Sequence, residues 1–473
     1  MTRRECARTH KRSPDDGEVI HSWGAWGPNI GPRIANAHGL DLTKVPSDEG
    51  LARLFECKRA DTGEAWSNMG RKREVSGIDF TASPDKTVSL AFEFASTKAE
   101  QALIALAIHK ANDRAMAFIA REIGLARRAS GDNAYIEEGE VAWVSFRHYT
   151  SRPALQIQDG PDGATASVEV PVPGDPQFHI HNAMFNAVAT ESGHLGSLDS
   201  ARITKTTSHL FGAYFQAELA HELRALGIRV SRDERGKAVI IDAIPDQARD
   251  LFSKRAQQAQ RLAKAFVKRQ GGDWRSMSAD QKFKILHQAN LTYRSKKYNG
   301  SNEREIWREQ ADEIGWHHET VLTEEVYPEK MQAERYEIAF GIAEKMLAEE
   351  FRTAAVIDRD AFRTHAAHGL IEAGIQEPED VERVADLIEE RGITIDGTHV
   401  HFIKEEQEGR CRVATTEQIR VEKEMARLAD ISTRTREGAL TEEAIAAAVA
   451  RSGLDFGKEP EHGKAQLAAI RSR

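Results

Sequence analysis

No stretch of this chain approaches the ~20 consecutive apolar residues of a membrane span. The charged start Met-Thr-Arg-Arg-Glu-Cys leads into no apolar core of the signal-peptide kind. Cysteine is scarce: Cys6, Cys57 and Cys411 are odd in number and far apart. That excludes a disulfide framework and a cysteine zinc cluster, and it fits a reducing, cytoplasmic compartment. Tandem repeats and low-complexity tracts are absent. So is a G-x-x-x-x-G-K-[ST] phosphate loop, which argues against ATP hydrolysis. Positive charge is in deficit, with 65 Lys+Arg against 74 Asp+Glu, and this speaks against a polyanionic partner until the chain is divided. Residues 1–300 hold 42 Lys+Arg and 36 Asp+Glu, whereas residues 301–473 hold 23 and 38. The first part permits DNA binding, and the acidic remainder reads as a different module. A chain of 473 residues has room for two or three domains.

What the chain does have is the stretch Gly174-Asp-Pro-Gln-Phe-His-Ile-His181. Gly-Asp-Pro reads as a turn delivering the chain into a strand. On a strand, His179 and His181 project from one face and Ile180 from the other, so the two imidazoles are pre-spaced for one cation. For this pair alone, two half-buried histidines bonded to backbone groups are the alternative. Residues 139–149 read as a strand that carries His148 at its end. An excursion over 153–174 with several Gly and Pro, returning through Ala166–Val172, separates His148 from the pair. A sheet that closes this excursion brings a third imidazole to the other two. A second pair, His399-Val-His401, sits in a hairpin around Asp396-Gly397 with no third histidine in strand context, and no metal is expected there.

Gly77-Ile-Asp79-Phe-Thr81 alternates as a strand with Asp79 opposite Ile78 and Phe80. Ser83-Pro84-Asp85-Lys86 then opens an apolar helix with Pro in its first turn. A lone carboxylate at such a junction is often only a cap or an ion-pair partner. Further helices are expected over 97–125, over 205–227 with Gly227 closing it, and over 246–271. The last has a basic face of Lys254, Arg255, Arg261, Lys264, Lys268 and Arg269. A hairpin around Glu234–Gly236 lies between the second and third. Beyond about residue 300 the chain reads as helical and acidic apart from the hairpin at 393–403.

Three motifs in order resemble those of conjugative relaxases of the TrwC/TraI kind (MobF class, HUH endonuclease superfamily): Gly77–Ser89, Arg147-His148-Tyr-Thr-Ser-Arg152, and Asp175–Asn182. Ser197-Leu-Asp199 and Phe252-Ser-Lys-Arg255 are similar to further family positions. The resemblance spans roughly residues 20–315. Residues 328–430 resemble the segment joining relaxase to helicase, and His462-Gly-Lys-Ala-Gln466 resembles the start of a first motor domain. The resemblance implies a relaxase domain over 1–315, a helical or winged-helix-like linker domain over 316–430, and a truncated helicase-like start over 431–473. It implies an α+β fold: an antiparallel five-stranded sheet flanked by helices, then a mostly helical extension. It implies a divalent cation, Mg or Mn, on His148, His179 and His181. Asp79 matches the family's active-site aspartate, which assists the nucleophile or orients a ligand histidine. Arg152, Lys254 and Arg255 are expected on DNA phosphates. The implied activity is metal-dependent, strand-specific nicking and transesterification at an origin of transfer, on hairpin and single-stranded DNA. Relaxosome accessory proteins and a coupling protein are the implied partners.

The departure concerns the nucleophile. The family attacks with a tyrosine near its N-terminus, but the seven tyrosines here begin at Tyr135. On the resemblance, the family's N-terminal strand and its tyrosines are read as missing, through a late start or a truncated gene, with the nucleophile unknown. The alternative is a catalytically impaired module that binds DNA and metal. A cupin reading of the HxH pair wants a glutamate four or five positions on, where Phe185 and Asn186 stand.

Overall fold

In the computed structural model, residues 21–66, 75–128, 135–151, 157–158, 165–166, 174–199, 203, 205–277, 281–282, 285–286, 303–407, 410–435 and 441–452 are described. The fold is α+β with antiparallel sheets. The chain divides into two compact units, residues 1–346 with 360–387 and residues 347–359 with 388–473. The first unit thus runs past residue 315. Among the described residues no helix is long and apolar enough to cross a membrane.

The strands of the first unit are β1 (His21–Trp26), β2 (Gly77–Ala82), β3 (Leu125–Arg128), β4 (Tyr135–Glu140), β5 (Trp143–Thr150), β6 (Ile157–Gln158), β7 (Thr165–Ala166), β8 (Pro176–Phe185), β9 (Val188–Thr190), β10 (Leu195–Gly196), β11 (Val230–Arg232) and β12 (Val239–Ile241). The central sheet has four strands among the described residues, in the order β1-β5-β8-β2, all antiparallel. A second sheet runs β10-β9-β4-β3, and β6 pairs with β7 inside the excursion. Most of the returning strand expected at 166–172 lies outside the described residues. The single strand expected over 139–149 is two, β4 and β5, in different sheets. The break has a cause: the Glu140 carboxylate accepts from Arg33 N (2.8 Å) and Ile34 N (3.1 Å). It thereby caps helix α1 (Pro32–His38) across more than a hundred residues.

Helix α2 (Asp48–Phe55) is capped by Ser47, whose Oγ accepts from Gly50 N (3.0 Å). Helix α3 (Lys86–Glu93) starts two residues later than Pro84 implied. Asp85 is its cap, its carboxylate accepting from Thr87 N and Thr87 Oγ1. Helix α4 (Lys98–Ile123) opens with Thr97 Oγ1 accepting from Glu100 N and the Glu100 carboxylate reaching back to accept from Ser96 N. Helix α5 (Lys205–Ala225) ends at Gly227, with φ +74°. These helices supply one apolar layer on the central sheet: Phe80 of β2 meets Phe211 of α5, and Phe178 of β8 meets Phe92 of α3.

The expected 246–271 helix breaks into α6 (Asp246–Leu251) and α7 (Lys254–Arg269). Asp175, just ahead of β8, causes the break. Its Oδ2 accepts from Lys254 N (2.9 Å), so a carboxylate sits at the start of α7. Its Oδ1 accepts from Lys254 Nζ (2.8 Å). Ser151 and Asp175 also bond to each other through Ser151 N (2.9 Å) and Ser151 Oγ (3.0 Å). Helix α8 (Glu303–Glu313) adds Trp307, whose Nε1 donates to the Gly174 carbonyl (3.0 Å). Lys86 Nζ donates to the Pro176 carbonyl, and burial pushes its pKa down to about 8 against the pull of Asp175 and Asp85. A Cβ at Gly174 would lie 1.8 Å from the Ser151 carbonyl oxygen, so no other residue fits. Four elements thus grip the lead-in to β8.

Helices α9 (Gln332–Phe351), α10 (Arg359–Ala373) and α11 (Glu379–Arg391) follow. The second unit is less helical than expected. It has a three-stranded sheet of β13 (Val356–Asp358), β17 (Arg410–Thr415) and β16 (Phe402–Gln407), together with helices α12 (Thr416–Thr435) and α13 (Glu442–Ser452). The stretch Lys404-Glu405-Glu406 is exposed, so no apolar alternation announces β16. The expected hairpin is there as β14 (Ile393–Ile395) and β15 (Thr398–Val400), turning through Asp396 (φ 48°) and Gly397 (φ 80°).

Asp175→Ala leaves the α7 N–H without its acceptor and the Lys254 ammonium with only Gln310 Oε1. We expect it to lower unfolding free energy by about 2 kcal/mol, the pair being buried on the Asp side only. Asp175→Asn should cost less. Urea unfolding of both variants checks this.

Candidate metal centre

His148 stands directly opposite His179 in the β5–β8 pairing, and Thr81 stands opposite His181 in the β2–β8 pairing. Directly paired residues share a sheet face. So His148, His179, His181, Thr81 and Asp79 all project from the face away from Phe80, Phe178 and Ile180. The three imidazoles offer one nitrogen each within 4.8 Å of one another, with ring centroids 4.8–5.1 Å apart. His148 is buried, and the other two are half-buried.

The hydrogen bonds decide which nitrogens face inward. His181 Nδ1 lies 2.7 Å from Asp79 Oδ2 and 3.2 Å from Thr81 Oγ1. A carboxylate only accepts, so the proton is on Nδ1 and the Nε2 lone pair is free. His179 Nδ1 lies 2.9 Å from the Gln177 carbonyl, which imposes the same tautomer. This is the arrangement by which a second group orients a metal-ligating histidine. Three nitrogens each about 2.1 Å from one tetrahedral cation lie about 3.4 Å apart, so the cluster closes on one with side-chain shifts of about an ångström. Three neutral imidazoles suit a divalent cation and leave coordination positions for phosphate oxygens.

Asp79 carries one further feature: its Oδ1 is buried and has no hydrogen-bond partner among the described residues. Tyr149, next to His148, points the other way. Its ring stacks on Phe92 (5.4 Å, 7°) and meets Phe178 edge-on (5.1 Å). Beneath the sheet His109 is held down to about 4 by burial and then by Arg147. It is a neutral core histidine.

The expected DNA-contacting residues fall elsewhere. Lys254 is tied to Asp175 and, at 3.2 Å, to Gln310 Oε1. Arg255 lies on α7, its side chain outside the described residues, and Arg152 is outside them altogether. Exposed cations of α7 are Lys264, Lys268 and Arg269. The pair His399/His401, with rings 5.0 Å apart, has no third ligand within reach among the described residues. Thr81 and the Gln177 carbonyl escaped the sequence reading. The period-2 alternation that places Asp79 on its face also places Thr81, but a backbone carbonyl leaves no mark in a sequence.

Substituting His179 or His181 by Ala should weaken Mn²⁺ binding by about 100-fold or more, and Asp79→Ala by about 10- to 100-fold. His399→Ala should leave it unchanged. Calorimetric titration of the full chain separates these outcomes, and equal losses at His399 and His179 would overturn the assignment.

Residues 22–314 match the family model described as TrwC relaxase. Among solved structures the chain is similar to conjugative relaxase TrwC in complex with oriT DNA, metal-bound, at 23% identity over 67% of this chain and 96% of that chain with a TM-score of 0.49. A copper-bound TrwC–oriT complex follows at 24%, 66%, 95% and 0.48. TrwC with a 27-mer DNA comprising the recognition hairpin and the cleavage site gives 23%, 66%, 95% and 0.47. No curated protein matches the chain. The family match, over more than half the residues, alone carries the assignment.

Proposed function

The chain belongs to the TrwC relaxase family, whose members nick DNA and join to it, and from this premise we propose that it is a conjugative relaxase working through His148, His179, His181 and Asp79. The observation that carries the reading is the imidazole cluster with two of its tautomers fixed by Asp79 and the Gln177 carbonyl. When bound, a divalent cation, Mg or Mn, polarises the scissile phosphodiester and offsets charge developing in the in-line displacement. His148, His179 and His181 hold it by nitrogen lone pairs. Asp79 keeps the His181 proton on Nδ1 through Oδ2. The same carboxylate is the group we propose to take the proton of an attacking hydroxyl. The substrate we propose is an origin-of-transfer hairpin with its adjoining single strand, the kind of DNA held in the TrwC complexes. Accessory proteins, a coupling protein and cytoplasmic action belong to the same proposal, as does a role for residues 316–430 as a linker domain ahead of a helicase-like segment.

Tyr149 is the one tyrosine on the strands that carry the site, and its ring is packed on the opposite face. Nucleophilic attack therefore belongs to a hydroxyl other than Tyr149. Incubation with a labelled single-stranded origin oligonucleotide and Mn²⁺, followed by denaturing electrophoresis, tests this. Cleavage or adduct formation should be unchanged in Tyr149→Phe and lost in His179→Ala. A band lost in Tyr149→Phe reverses the assignment, and no cleavage under any condition favours a binding module.

DNA affinity should fall steeply with salt. The triple variant Lys264→Gln/Lys268→Gln/Arg269→Gln should lower the slope of log K against log[salt] by about 2, at about 0.7 per single-strand phosphate contact. An unchanged slope would remove α7 from the DNA-binding surface.

A further inference from the structure

On the face of the central sheet opposite the histidines a second polar row is buried. Asn182 follows His181, so it points the other way, towards α4. Asn182 is 1% exposed and Asn112 of α4 is 0% exposed. Their carboxamides bond reciprocally: Asn182 Nδ2 donates to Asn112 Oδ1 (2.8 Å), and Asn112 Nδ2 donates to Asn182 Oδ1 (3.2 Å). Asn182 also reaches both neighbouring strands. Its Nδ2 donates to the Phe80 carbonyl of β2 (2.9 Å), and its Oδ1 accepts from Ser145 Oγ of β5 (2.7 Å). Phe80, Asn182 and Ser145 stand directly opposite one another across the three strands. Both N–H groups and both lone pairs of one side-chain amide are thereby used.

Apolar packing resists a one-residue slip of β8, which would turn Phe178 and Ile180 outward. It resists a two-residue slip poorly, because Phe178, Ile180 and Met184 merely exchange places among apolar neighbours. Such a slip carries His179 and His181 about 7 Å past His148 and Asp79. The amide row resists it, since it strands buried groups on Asn182, Asn112 and Ser145 without partners.

We propose that Asn182 is a positioning residue of the metal centre: its amide, held by Asn112, Ser145 and the Phe80 carbonyl beneath the sheet, sets the register of β2, β5 and β8 that brings Asp79, His148, His179 and His181 together. This rests on the reading of the histidines as a cation site.

The test uses the full chain and the triple variant Asn112→Leu/Asn182→Leu/Ser145→Ala, which removes the row without touching the site. Asn112→Ala, on the helix alone, is the milder form that keeps the test open if the triple variant does not fold. Ile104→Val, a buried α4 change outside the row, controls for general loosening. Mn²⁺ affinity should fall about 10-fold or more in the triple variant and about 3-fold in Asn112→Ala, and stay at the wild-type value in Ile104→Val. A second readout needs no metal: the Nδ1 proton of His181, held by Asp79, should be seen by NMR in histidine-labelled wild type and be lost to exchange in the triple variant. Wild-type affinity and an unchanged His181 signal in folded row variants would overturn the proposal, as would an equal affinity loss in Ile104→Val. If the wild type shows the His181 proton but binds no Mn²⁺, the cation reading fails, and the NMR comparison still decides the role of Asn182.

Discussion

The placement of β8 between β2 and β5 is the constraint on which the metal centre depends. One strand supplies two imidazoles, and its neighbours supply the third imidazole and the carboxylate. None of these groups has a function at a neighbouring register. The strand is accordingly held along its length. Ser151, Lys86, Lys254 and Trp307 grip its lead-in, the Asn182 amide ties its middle to both neighbours, and Met184 and Phe185 are buried at its far end. Tautomer control comes as a by-product of that register. Asp79 meets His181 only because Thr81, two residues on along the same strand face, is paired with it.

What the sequence disclosed was local. Period-2 alternation put His179 and His181 on one face and set Asp79 against Ile78 and Phe80, because alternation is a property of a single strand. Gly227, Gly236 and the Asp396-Gly397 turn were legible for the same reason: each takes a positive φ that few other residues tolerate. Partnerships across the chain were not legible. Asp79 and His181 are 102 positions apart, and Asn182 read only as the continuation of a strand. The break between β4 and β5 was hidden because its cause, the capping of α1 by Glu140, lies 106 residues away. In the second unit, β16 carries its charges outward and gains its strand character from pairing with β17 alone.

Charge was legible in sum and misleading in detail. Lys254 counts as one more cation on a basic helix, yet its ammonium is committed to Asp175 and Gln310, and Lys86 is buried at the Pro176 carbonyl. Both serve the lead-in to β8. The field presented to a polyanion by this region comes from side chains with no such commitment, and a residue tally does not tell the two kinds apart.

The crossing of Ser151 and Gly174 has a consequence for how this chain can change over generations. The two backbones touch so closely that the end of β5 and the lead-in to β8 meet at one pinned point. Closing a longer loop at a fixed point costs only about 0.6 kcal/mol for each doubling of its length. The Ser151–Gly174 crossing therefore holds His148 and His179 on adjoining strands whatever the length of chain that joins them.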